Sequence, residues 1–159
     1  MGTRNEALGE QAMDTRTARV LIVDDNQQNL ELLQAYLDEL ECPVELCRDG
    51  VEALAAIEAR TPDLILLDIM MPRMSGFQLC EKLKADAKTR DIPVIMVTAL
   101  NEVGDVERAV DAGADDFLTK PVNRLELVMR VRSLLRVRQL KLQLDRAMSE
   151  VRRLGGREG

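Results

Sequence analysis

Arg19-Val-Leu-Ile-Val-Asp-Asp-Asn26 decides the fold. Four consecutive apolar residues, mostly β-branched, leave no polar face. A run this short and uniform suits a strand covered on both sides, as in a parallel sheet. Asn26 is placed to cap a helix in which Leu30, Leu33, Leu37 and Leu40 recur at helical spacing.

The same unit repeats outward along the chain. Residues 43–47, 63–67, 92–97 and 116–119 form four more short apolar runs. Helical patterns separate them: Val51, Leu54 and Ile57, then Leu79 and Leu83, then residues 103–112, which stop at Gly113. Residues 69–76 carry Pro72, Ser75 and Gly76 and read as a loop. Strands alternating with helices predict βαβ units and an open, doubly wound parallel sheet.

Composition narrows the chemistry. Apolar residues make up 46% of the 159, enough for a core, but aromatics only 2%. Histidine is absent, which excludes imidazole bases, Ser/His triads and His-ligated zinc on this chain. The chain therefore cannot carry its own phosphohistidine. Cys42, Cys47 and Cys80 form no CxxC pair, and their number is odd. They read as small buried hydrophobes in a reduced, cytoplasmic setting. No apolar run approaches a membrane span and no signal core opens the chain.

Net charge is −6, but residues 1–123 carry −12 and residues 124–159 carry +6. An acidic body thus bears a basic tail. No aromatics are interleaved for base stacking, which argues against nucleic-acid binding by the tail.

In a doubly wound sheet, ligands bind beyond the carboxyl ends of the strands. Asp24 and Asp25 stand after the first strand, Asp68 after the third, Thr98 after the fourth and Lys120 after the fifth. Three neighbouring carboxylates repel and raise one another's pKa, and a divalent cation removes that penalty. With oxygen ligands only, Mg²⁺ or Mn²⁺ fits best. Lys120 offers a positive charge and Thr98 a hydroxyl to a phosphate oxygen. Such a site is built to hold a phosphoryl group beside a carboxylate, which can itself accept one as an acyl phosphate.

Four segments carry a resemblance. They are Val20-Leu-Ile-Val-Asp-Asp-Asn26, Asp63-Leu-Ile-Leu-Leu-Asp-Ile-Met-Met-Pro-Arg-Met-Ser-Gly76, Pro93-Val-Ile-Met-Val-Thr-Ala99 and Ala112-Gly-Ala-Asp-Asp-Phe-Leu-Thr-Lys-Pro121. In order and spacing the chain resembles the receiver domains of bacterial two-component response regulators, over residues 19–136. The resemblance implies a flavodoxin-like five-stranded sheet in the order 2-1-3-4-5. It implies that a sensor histidine kinase or phosphotransfer protein donates a phosphoryl group to Asp68. It makes Asp25 a direct Mg²⁺ ligand, Asp24 a partner through water, and Met70 a ligand through its backbone carbonyl. Lys120 becomes the phosphate-contacting lysine, with a cis bond to Pro121. Thr98 becomes the switch hydroxyl and Phe117 the switch aromatic. Met70 and Leu100, flanking the site, are apolar and offer no group to position a hydrolytic water, so autodephosphorylation should be slow.

Around that body, residues 1–18 read as a disordered leader. A helix runs on from Asn123 without Gly or Pro to Leu154. In residues 137–154, Val137, Leu140, Leu144, Ala147, Val151 and Leu154 are spaced 3, 4, 3, 4, 3. That is an a/d seam for a short parallel coiled coil, hence a homodimer. Gly155-Gly156 should break the helix, leaving a disordered tail at 155–159.

Two other functions compete with a phosphorylation switch. One is a dimerisation scaffold or linker fragment of a larger signalling protein. The other is an Asp-dependent phosphohydrolase, but such enzymes place a second acid as Asp-x-Asp after the first strand. This chain has Asp-Asp-Asn there. A phosphoacceptor module that modifies only itself fits better than an enzyme.

Overall fold

In a computed structural model the described residues are 14–99 and 103–158. The strands are β1 (Val20–Val23), β2 (Val44–Cys47), β3 (Leu64–Asp68), β4 (Val94–Thr98) and β5 (Asp116–Thr119). The helices are α1 (Gln27–Tyr36), α2 (Gly50–Ala59), α3 (Gly76–Ala85), α4 (Val103–Asp111) and α5 (Arg124–Glu158). All strand pairs are parallel, in the order β2-β1-β3-β4-β5. This is the expected flavodoxin-like sheet with a long C-terminal helix.

The two covered faces follow from strand alternation. Leu21, Val23, Ile65, Leu67, Val94 and Met96 face one core, with Ile57 of α2, Phe77 and Leu83 of α3, and Ala109 of α4. Val20, Ile22, Leu64, Leu66, Ile95 and Val97 face the other, with Leu30 and Leu33 of α1 and Leu127, Val131 and Leu135 of α5. Side chains substitute for aromatics by number: twelve aliphatic or methionine strand positions fill both layers.

The local signals account for the helix starts. Asn26 accepts from the Asn29 amide, Asp49 from Glu52, and Ser75 and Gln78 form a reciprocal capping box. At the end of α4, Gly113 takes φ +93°, where any Cβ would also press on Lys84.

Two expectations about the termini need correction. The end of the expected leader is placed: Thr15–Thr17 form a 3₁₀ turn capped by Asp14. The Thr15 hydroxyl donates to the Leu40 carbonyl and Ala18 is buried. These tethers are long-range, so no local pattern announced them; residues 1–13 lie outside the described residues. At the other end, α5 does not break at Gly155-Gly156 but continues to Glu158. Each glycine costs a helix about 1 kcal/mol relative to Ala, which weakens it without removing an amide donor as Pro would. The 35-residue helix is about 52 Å long. Residue 159 lies outside the described residues. Among the described residues no helix is long and apolar enough to cross a membrane.

Candidate functional site

The chain order reverses between β1 and β3, with β2 placed to one side and β4 and β5 to the other. The crevice above that point collects the carboxyl ends of the strands. Asp24 and Asp25 leave β1, Asp68 ends β3, Thr98 ends β4, and Lys120 follows β5. The carboxylates of Asp24, Asp25 and Asp68 offer oxygens within 4.8 Å of one another. Lys120 Nζ lies 3.4 Å from Asp24 Oδ2 and 3.5 Å from Asp68 Oδ1.

Burial sorts the three acids. Asp24 and Asp68 are nearly sealed from solvent, whereas Asp25 is exposed. Asp24 Oδ1 accepts from the Asn26 amide at 2.9 Å, which fixes it. Asp68 Oδ1 accepts from the Met70 amide at 3.4 Å. Burial first, then the Asp24 charge, pushes the Asp68 carboxyl up to about 6, against the pull of Lys120. One ammonium therefore does not balance two buried carboxylates. The site has surplus negative charge facing the exposed Asp25, which is the electrostatic condition for holding a cation.

Thr98 is fully buried, and its carbonyl accepts from the Lys120 amide at 2.7 Å. The Lys120-Pro121 bond is cis. Met70 stands on the rim with its side chain 62% exposed. Phe117 is not part of the cluster. It is half-buried in β5 and packs against the core beneath α2, α3 and α4. The six seam residues of α5, from Val137 to Leu154, all point into solvent within the single chain. Leu100 lies outside the described residues.

Two contributors escaped the sequence reading. The Asn26 amide pins Asp24. Gly76 lets the 69–76 loop fold back so closely that a Cβ there would stand 2.3 Å from the Asp68 carbonyl oxygen and 2.8 Å from Ile69 Cα. Its amide bonds the Ile69 carbonyl at 2.9 Å. Gly76 was legible only as a turn residue, because nothing local shows which backbone it meets. Gly76→Ala should displace the Asp68 peptide, cost roughly 1–3 kcal/mol of stability and slow phosphoryl labelling. Thermal denaturation beside a labelling time course checks it, and unchanged labelling would contradict the close fit.

Fold and acidic crevice together define a receiver domain of the two-component signalling class. The family model for the response regulator receiver domain matches residues 20–132, and the chain belongs to that family. The chain is similar to response regulator PleD of Caulobacter vibrioides, at 45% identity over 139 residues. The match covers 87% of this chain and 31% of PleD. It is 42% identical over 118 residues to the DNA-binding dual master transcriptional regulator RpaA of Synechocystis, covering 74% of this chain and 49% of that one. The chain thus spans about a third to a half of these relatives' length. Among solved structures it resembles the signal receiver domain of a histidine kinase from Syntrophus aciditrophicus. That match has 40% identity and a TM-score of 0.71, over 75% of this chain and 90% of that one.

Proposed function

We propose that this receiver is a phosphorylation switch whose acceptor is Asp68. The observation that supports it most is the crevice itself, where a sealed carboxylate is flanked by a lysine and two further acids. The donor is the phosphohistidine of a sensor kinase or phosphotransfer protein. An Asp68 oxygen attacks phosphorus, the P–N bond breaks, and its electron pair leaves with the imidazole. The product is an aspartyl phosphate.

Mg²⁺ fits the donor set, with Asp25 and Asp68 as ligands, the Met70 carbonyl as a third, and Asp24 acting through water. When bound it neutralises phosphoryl and carboxylate charge. Lys120 holds a phosphoryl oxygen as a point charge, and the Thr98 hydroxyl closes on another. Phe117 follows Thr98 as the switch aromatic, since its strand pairs with β4. Transfer of label from a small phosphodonor to Asp68, dependent on Mg²⁺, tests this reading.

The output is a change in self-association through the tail of α5. Sedimentation in Mg²⁺ with and without beryllofluoride, a phosphoryl mimic, reads it directly. A shift from monomer to dimer supports control by phosphorylation. An unchanged mass contradicts it.

Met70 sets the lifetime of the phosphorylated state. Its exposed thioether offers no hydrogen bond to a water approaching Asp68. Met70→Asn should speed phosphate loss by up to about tenfold, equal to ~1.4 kcal/mol of barrier. A time course of label decay checks this. No acceleration would show that another group limits hydrolysis.

A further inference from the structure

The pair Met70-Met71 leaves β3 with one thioether outward and one inward. Met70 is 62% exposed and Met71 only 8%. Met70 also stands at the acceptor carboxylate. Its amide donates to Asp68 Oδ1 at 3.4 Å, which ties its backbone to that group. Elsewhere among the described residues, Met96 is sealed within β4 and Met74 is half-buried, its sulfur beside Gly50 of α2. Met129 and Met148 are exposed like Met70, but both lie on α5.

The cysteines hold their sulfur in an unreactive form. Burial pushes the Cys47 and Cys80 thiols up to about 11 and raises Cys42 as well. Peroxides attack the thiolate, so at neutral pH these side chains present little of the reactive species. A thioether has no proton to lose, and its oxidation follows access. Exposure therefore selects Met70, and its place beside Asp68 makes that selection matter.

We infer that Met70 is a redox modification site, and that its oxidation to the sulfoxide shortens the life of the phosphorylated state. The inference rests on the reading of Asp68 as phosphoacceptor and adds a reversible control of that same site. The oxidant is a peroxide. A lone pair of the Met70 sulfur attacks one oxygen of hydrogen peroxide, the O–O bond breaks, and an S–O bond forms. The departing hydroxide takes the proton from the new S–OH group and leaves as water. Sulfur loses two electrons and the peroxide gains them.

The product changes what the rim of the crevice offers to water. A thioether is a weak acceptor and no donor. A sulfoxide is polar, and its oxygen accepts hydrogen bonds. From two residues beyond Asp68, that oxygen holds a water by one O–H and leaves a lone pair free for phosphorus. Attack forms a P–O bond to the water, breaks the P–O bond to Asp68 and returns its electron pair to the carboxylate. One water proton moves to a phosphoryl oxygen, so dihydrogen phosphate leaves. The unoxidised side chain lacks this acceptor. A thiol-dependent reductase removes the sulfoxide oxygen, which makes the control reversible.

The test oxidises the full chain with hydrogen peroxide, removes the peroxide, and then labels with acetyl phosphate in Mg²⁺. Peptide mass spectrometry should find Met70 oxidised while Met71 and Met96 stay nearly untouched. Label on the oxidised protein should decay roughly fivefold faster than on the untreated protein. Met70→Leu keeps an apolar side chain of similar size but forms no sulfoxide, so its own decay rate should be the same with and without peroxide. Met129→Leu/Met148→Leu, with Met70 intact, should respond to peroxide as wild type does. Reductases for both sulfoxide epimers, applied with dithiothreitol before labelling, should restore slow decay. An unmodified Met70, or a decay rate unmoved by its sulfoxide, would overturn the inference. So would equal acceleration in Met70→Leu, loss of the response in the α5 variant, or no recovery on reduction. Absence of label from the untreated protein would instead overturn the phosphoacceptor reading beneath it.

Discussion

Asp68→Asn should reduce stable labelling by a small phosphodonor to background, a loss of at least ~100-fold. Three carboxylates share the crevice, so the assignment needs an argument beyond proximity. Asp24 is committed: the Asn26 amide and Lys120 hold both its oxygens. Asp25 is exposed, where water competes for every contact and no lysine stands beside it among the ion pairs of the described residues. Asp68 ends the central strand β3, sealed from solvent, with Lys120 on one oxygen and the Met70 amide beside it. An incoming phosphoryl group finds there a nucleophile and a cation together. The asparagine amide keeps the shape but has no free electron pair comparable to a carboxylate's. Intact-protein mass spectrometry after exposure to the donor in Mg²⁺ makes the measurement. Equal labelling of wild type and variant would move the acceptor to Asp25 or outside the crevice. Steady release of phosphate from an external phosphoester, surviving in the variant, would favour the hydrolase reading.

The parts legible in the sequence were those that local pattern controls. Val20–Val23 and Leu64–Asp68 read as strands because burial on both faces demands uninterrupted apolar residues. Asn26, Asp49 and Ser75 cap through their own neighbours, and their helices start where a local rule places them. The acidic crevice was legible because a parallel sheet puts every strand's carboxyl end on one edge. What failed was set by distant partners. Gly76 looks like any turn glycine until the Asp68 carbonyl arrives against it. Ala18 looks like the end of a leader until the second core covers it. The α5 seam was visible as a repeat, but the direction it faces was not. That direction depends on the side by which Arg138, Lys141 and Gln139 attach to Asp63, Asp91 and Asp14.

Those attachments also bear on how a signal can travel. Asp63 precedes β3 and Asp91 precedes β4, so the tail leaves the receiver at the strands' amino ends. The acidic crevice sits at their carboxyl ends. A change in the crevice would therefore not reach the tail by contact. In the proposed switch it would travel through the strands that link both edges or along the side of α5 where Arg130 grips Asp116 with two bonds of 2.9 and 2.8 Å.

In the metal-free protein the Asp68 carboxyl should contribute less favourably to stability at neutral pH than at mildly acid pH. In the unfolded chain an aspartate titrates near ~3.9. In the fold, burial and the charge of Asp24 push Asp68 up to about 6. The folded state therefore binds the proton more tightly. Below pH ~4 both states are protonated at this group and it makes no difference. Between ~4 and ~6 stability falls as pH rises, and above ~6 the penalty is complete. Two pKa units correspond to about 3 kcal/mol, an upper bound in chelator. Asp68→Asn removes the charge that burial opposes. In EDTA at pH 8 the variant should be more stable than wild type by up to about 3 kcal/mol, and the difference should vanish toward pH 4. Mg²⁺ should then stabilise wild type chiefly above pH 6 and the variant far less, because a cation relieves only a charge that is present. Urea denaturation of both proteins from pH 4 to 8, with and without Mg²⁺, reads all of this. Subtracting one curve from the other removes titrations the two share. A flat difference would mean that Lys120 already neutralises the crevice, and the site would then have no electrostatic need for a cation.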